Sequence, residues 1–201
     1  MATTATADNW TVASVMLGAG RVYAGVSIPG AAARLTLHTD GSPDTTLSPN
    51  SKHLGMTEKG TEFMVKSKLQ NYNADEFQDP IISSVDEVEC VISGSFLQPL
   101  DLVTLGELLT PGVGTYATGA GFKELRLGRR ALVYNSICVI APVQADVTKF
   151  IVFHLYSAMN DVGLAAQIGR KTLSATPFAF RGYALTSRAT TDTTGIYFVT
   201  I

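Results

Sequence analysis

Three histidines, two cysteines and one tight group of carboxylates are the residues of this chain with chemistry to offer. Asp75, Glu76 and Asp79 form the densest acid cluster, and neighbouring carboxylates can divide general acid from general base work. Their flanks include Asn71, Asn73 and Pro80, all turn formers, and a solvated acidic loop is the default state of such a group. His38, His53 and His154 lie in separate segments and form no metal-ligating pattern. Cys90 and Cys138 sit in apolar, strand-like runs without a CxxC spacing, so they read as small buried hydrophobes in a reducing cytoplasm. Gly18-Ala19-Gly20 precedes a strand, where it serves as a turn. Gly112, Gly114, Gly119 and Gly121 lack the Lys-Ser or Lys-Thr end of a phosphate loop. No nucleophile elbow or zinc-protease motif occurs. The chain is therefore expected to be no enzyme and to use no cofactor and no metal.

One cationic group remains: Lys123, Arg126, Arg129 and Arg130. Such a cluster suits nucleic-acid phosphates, yet it lacks the interleaved aromatics of a single-strand platform. A salt bridge to the acidic surface of another copy serves it equally well. The charge distribution points the same way. Between Lys68 and Lys123 there are eight acids and no base, whereas residues 123–201 hold nine Lys/Arg against four Asp/Glu. A net charge of −2 thus conceals an acidic middle and a basic end. Opposite patches on identical subunits attract where the copies meet through different surfaces, which makes self-assembly the leading expectation.

The elements that must position these residues are mostly strands. Period-two alternation runs through Val22, Ala24, Val26 and Ile28, through Leu35 and Leu37, and through residues 62–68. Val88, Cys90, Ile92 and Phe96 alternate with Glu87, Glu89, Ser93 and Ser95, giving one apolar face and one acidic or small face. Further strands are expected at 122–127, 131–141, 147–156, 178–186 and 196–201. Leu102, Leu105, Leu108 and Leu109 change the period and predict one helix over residues 99–109, with Asp101 near its start. Residues 1–16 read as an N-terminal arm anchored by Trp10, and 17–201 as a single domain with a long polar contact loop at about 39–60. No run approaches the ~18 apolar residues of a membrane span. The opening decapeptide has neither the basic nor the apolar stretch of a secretory leader, so the protein is expected to stay where it is made. About eight strands and one helix predict a mainly β fold, a β-sandwich or barrel with one flanking α-helix.

The order of these features resembles that of phage tail tube proteins, the major tail proteins of long-tailed bacteriophages. Gly60-Thr61-Glu62-Phe63, followed by Tyr72-Asn73-Ala74-Asp75-Glu76-Phe77-Gln78-Asp79-Pro80-Ile81, is similar to their charged strand pair and turn. Glu89-Cys90-Val91-Ile92 and then 99–109 resemble their strand and short leucine-rich helix. Residues 169–171, 178–185 and 196–201 resemble their closing strand pair. The likeness covers about residues 20–201 and lies in the order of segments; Ser51 to Thr57 departs from it. It implies a tail-tube-like protomer that forms hexameric rings stacked head to tail, with other tail proteins at the ends and DNA passing without specific binding. Within that frame Glu87 and Glu89 are candidates for the lumen wall. Asp75, Glu76, Asp79, Arg126, Arg129, Arg130 and Trp10 are candidates for contacts between subunits. The implied location is the virion tail, and the host cytoplasm during assembly, with no membrane partner. A tail terminator or neck protein of the same fold, or a small-ligand-binding β-barrel, are the alternatives.

Overall fold

The structure, a computed structural model, describes residues 20–30, 33–72, 82–96, 115–119, 122–126, 131–143, 146–163, 176–189 and 192–200. Nine strands account for most of them: β1 (Arg21–Ala24), β2 (Lys52–Tyr72), β3 (Ile82–Phe96), β4 (Thr115–Gly119), β5 (Phe122–Arg126), β6 (Asn135–Val143), β7 (Asp146–Asn160), β8 (Thr176–Gly182) and β9 (Gly195–Val199). The fold is mainly β and antiparallel throughout. There is no helix among the described residues, and the one expected over 99–109 falls outside them.

Six strands close on themselves. The order β6-β1-β2-β3-β8-β7 returns to its start because β6 also pairs with β7, making a barrel rather than a two-sheet sandwich. β9 joins β7 alone, and β4 pairs with β5 as a separate ribbon. The barrel interior takes one residue in two from every strand of the ring: Val22, Leu54, Ile92, Phe96, Ile137, Val139, Leu155, Phe178 and Phe180. Phe96 stacks on Phe178 with ring centroids 4.2 Å apart, and offset ring pairs of this kind add to plain burial.

A second core lies on the outer face of β1, β6, β7 and β9, where Tyr23, Cys138, Ile140, Val152 and Phe198 meet Val26 and Leu35. It explains why β6 is apolar without interruption. A strand covered on both faces loses the alternation of a half-exposed one. The cover comes from Val26, Leu35 and Leu37, and Gly41 of the polar segment expected to be a contact loop lies close against the Phe150 ring. Asp40 accepts hydrogen bonds from the Ser42 backbone and hydroxyl at 2.9 and 2.6 Å, and Asp44 accepts one from the Thr46 N–H at 2.8 Å. These side-chain turns fold the segment back onto the barrel. It also ends earlier than expected, because β2 already begins at Lys52. Leu35 and Leu37 form no strand; Leu37 makes one isolated bridge to Pro43 while both leucines pack into the outer core.

Candidate assembly interface

β2 and β3 outrun the barrel that they help to build. β1 pairs with β2 only from Lys52 to Met56, and β8 pairs with β3 only from Phe96 to Val91. The β2–β3 ladder nevertheless continues to Tyr72 opposite Ile82. From Val65 onward it is a bare two-stranded ribbon of eight β2 residues, about 26 Å long at the usual rise. Near its base Thr57 faces Phe96 while Thr61 faces Gly94, so β2 uses four steps where β3 uses two. Gly60, at φ +88°, supplies the left-handed residue that such a bulge needs. Both ribbon edges are unpaired among the described residues.

The two faces of the ribbon differ. Residues directly opposite in an antiparallel pair point to the same side, so Phe63 with Ile92, Val65 with Cys90 and Ser67 with Val88 make one largely apolar face. Phe63 stacks on Phe153 at 4.4 Å, and Phe153 on Tyr197 at 4.8 Å, which seats the ribbon's foot on the barrel mouth. Higher up the apolar face is open, with Val65 55% and Val88 51% exposed. A cleft of about 210 Å³ lies between this face and β9, lined by Phe63, Val65, Cys90, Leu155, Ile196 and Tyr197. On the opposite face Lys66 stands against Glu89 and Lys68 against Glu87. Glu89 also meets Arg181 at 3.2 Å, and Arg181 reaches Asp161 at 3.8 Å.

Of the residues singled out from sequence, Glu87 and Glu89 lie two positions apart on β3, in register with Lys68 and Lys66. What the spacing concealed is the lysine opposite each. The register of a hairpin joining residues 62–68 to 87–93 would have paired them, since opposite charges favour facing positions. Arg126 lies on β5 opposite Thr115. Asp75, Glu76, Asp79, Arg129, Arg130 and Trp10 lie outside the described residues. Sequence reasoning also missed Arg181 and the exposed apolar trio Val65, Val88 and Tyr197.

Elsewhere the polar groups hold the fold together. Between β8 and β9 the chain leaves the barrel and returns, bound at its two ends by Tyr183 N–H donating to Ser157 O at 2.6 Å and Tyr156 N–H donating to Thr194 O at 3.0 Å. Arg188 clamps this excursion. Its Nε donates to the Asp192 carboxylate at 3.1 Å, its Nη1 donates to Pro29 O at 2.6 Å, and its guanidinium lies 4.4 Å over the Tyr156 ring. The Tyr156 hydroxyl donates to Asp192 at 2.9 Å; burial, and then that acceptor, push its pKa up to about 12. Beneath Tyr156 lies His154, 1% exposed, with neither ring nitrogen hydrogen-bonded. Burial, reinforced by the Arg188 charge, brings its pKa down to about 4, so it is neutral at ordinary pH. Cys138 is fully buried, and burial raises its thiol pKa far above the ordinary value. No group of three potential metal ligands occurs among the described residues.

No protein-family model matches the chain, and no curated protein matches it. The functional reading therefore rests on the ribbon and its edges. A pair of open edges with one apolar and one charge-laced face is a template for further strands.

Proposed function

We propose that the chain is a structural virion protein, a tail tube subunit that assembles into hexameric rings stacked head to tail around a DNA conduit. The observation that supports this most directly is the β2–β3 ribbon, which leaves a closed barrel with both edges unpaired among the described residues. Unpaired edges of this length attract other strands. In a ring, each ribbon pairs with those of its two neighbours, and every free edge disappears into one inner barrel. The apolar face turns outward onto the barrel mouths. The face of Lys66, Lys68, Glu87 and Glu89 turns to the lumen.

Such a wall suits a channel through which DNA slides. Clustered Lys or Arg would hold phosphates by counterion release, whereas a surface on which each lysine faces a glutamate offers little net field. Asp75, Glu76 and Asp79 contact the basic group of Arg126, Arg129 and Arg130 on the next ring. That contact joins unlike surfaces and so extends without closing. A flanking helix over 99–109 and a tail-tube-like protomer belong to the same reading, as do other tail proteins at the tube's ends. The protein resides in the virion tail, and in the host cytoplasm before assembly.

Negative-stain images of the purified protein test the proposal. Stacked rings or tubes are the expected result. Rings that never stack would favour a terminator or neck protein, and a species that stays monomeric at high concentration would overturn the reading. Within assembled virions, Glu87→Gln, which makes the face more positive without adding a second cation opposite Lys68, should slow DNA ejection while leaving tube formation intact. Glu87 is the better probe, because changing Glu89 also removes a partner of Arg181.

A further inference from the structure

Beyond the β8–β7 pairing that helps to close the ring, a seam is left between β3 and β9. β8 leaves β3 after Arg181, and β9 takes up the same edge of β7 from Gly195 onward. The two strands thus occupy successive stretches of one edge, but β9 makes no ladder with β3. Among the described residues the outer edge of β9 and the edge of β3 below Val91 are both unpaired, and the 210 Å³ apolar cleft lies between them. Tyr197 on one bank and Val65 on the other are each 55% exposed. At the foot of the seam the Thr61 hydroxyl is buried without a hydrogen-bond partner. Gly20, where the described part of the chain begins, lies against that hydroxyl: a Cβ placed on it would be 3.3 Å from Thr61 Oγ1. Whatever precedes Gly20 enters the fold two residues from Phe63, the first residue of the cleft.

We propose that this seam is a strand-binding site and that its occupant is the chain's own segment 10–17, Trp-Thr-Val-Ala-Ser-Val-Met-Leu. The segment has no charge, no glycine and no proline; one side would carry Trp10, Val12, Ser14 and Met16 and the other Thr11, Ala13, Val15 and Leu17. Both sides are mostly apolar, the pattern of a strand covered on both faces. Eight extended residues span about 26 Å, enough to run the length of the five-residue β9 at about 17 Å. Gly18 and Gly20 carry no side chain to oppose a reversal of the chain ahead of β1. Docked in the cleft, the segment pairs its backbone with the outer edge of β9 and lays its side chains over Val65, Val88 and Tyr197, leaving the edge of β3 open to other strands. It also shields the edge of β9 from stray pairing. The entry point beside Thr61 favours the same copy over a neighbouring one, in contrast to the between-subunit contact expected for Trp10 from sequence. The inference does not depend on the tail tube reading.

Trp10 is the only tryptophan, so its fluorescence reports the segment alone. In the full chain, short-wavelength emission that resists acrylamide quenching and persists on dilution is expected. Tyr197→Asp, or Val65→Asp, should move the emission to long wavelength while the barrel's melting transition remains. Removing residues 1–17 should speed labelling of Cys90, which lines the cleft, by roughly tenfold, the factor that about 1.4 kcal/mol of docking provides. Solvent-like emission in the full chain, emission unmoved by both substitutions, or equal Cys90 labelling with and without the segment would each overturn the proposal. Emission that reddens on dilution would place the segment in a neighbouring copy and overturn the same-copy seat. Should both substitutions unfold the barrel, the Cys90 comparison decides alone.

Discussion

β2 and β3 live in two environments along one hydrogen-bonded ladder. In the barrel, Leu54, Thr57, Ile92 and Phe96 are at most 4% exposed. In the ribbon, Val65 and Val88 on the same two strands are more than half exposed. Local sequence does not separate the two halves, since both alternate apolar with polar residues. The difference is the number of neighbours. In the barrel β2 is flanked by β1 and β3 is flanked by β8, and an opposite wall closes over the apolar face. In the ribbon each strand has only the other. A strand's burial is thus decided by what pairs with it and what packs across from it, and among the described residues the upper ribbon has neither a flanking strand nor an opposite wall.

That contrast sets the largest expected effect. Phe178 is 2% exposed and stacks on Phe96, while Gly94 leaves no room for a methyl group beneath its ring. Phe178→Ala should cost about 3–5 kcal/mol, the range for a large aromatic removed from a packed core. Val65→Ala, on the open face, should shift stability by no more than about 0.5 kcal/mol. Urea unfolding midpoints of the two variants measure the difference directly. Equal losses would mean that the ribbon is as much a part of the cooperative fold as the barrel.

His154 gives the barrel an acid sensitivity of its own. Its folded-state pKa of about 4 lies below the ordinary value of about 6.5. Between those values the unfolded chain binds a proton that the folded chain refuses. Stability therefore falls as pH drops through the window and is independent of this group above it. The full loss amounts to about 3 kcal/mol by pH 4. The charged groups nearby are Arg188, which opposes protonation, and Asp192 beyond Tyr156, itself held below its ordinary pKa by the Arg188 hydrogen bond. His53 is also lowered by burial, so the informative quantity is the difference between the native chain and His154→Leu. Unfolding midpoints from pH 7 to 4 should fall less steeply in the variant. Parallel slopes would mean that His154 gains a partner when protonated.

The sequence disclosed the strands and much of their facing, because period-two alternation is a direct image of a half-buried pleat. Phe178 and Phe180 on β8, and Ile92 and Phe96 on β3, lie inside as their spacing predicts. It did not disclose that the sheet closes. Ring closure depends on β6 pairing with both β1 and β7, and neither contact leaves a mark on the spacing of residues. The uninterrupted apolar run of β6 was the nearest clue, since it records a strand covered twice. The polar segment before β2 was misleading for a related reason. Its Asp and Ser side chains satisfy its own backbone, so a string rich in turn formers folds back until Gly41 lies against the Phe150 ring of the outer core. The ribbon's charge pattern was half legible: the acids were evident, and the lysines opposite them required the register.

The smallest effect on stability separates folding from assembly most cleanly. Lys66 and Glu89 face each other on the exposed side of the ribbon, and exposed pairs of this kind contribute roughly 0–1 kcal/mol. Lys66→Glu places two carboxylates opposite each other and should lower the unfolding midpoint of the isolated chain by less than about 0.5 kcal/mol. In the proposed ring the same change would repeat wherever ribbons meet, so its cost there would be multiplied by the number of copies. Assembly, followed by sedimentation as ionic strength rises, should therefore be impaired at low salt and recover as salt screens the repulsion. If folding and assembly weaken by the same amount, the ribbon belongs to the barrel's stability. If assembly alone weakens, the ribbon is where copies of this chain meet.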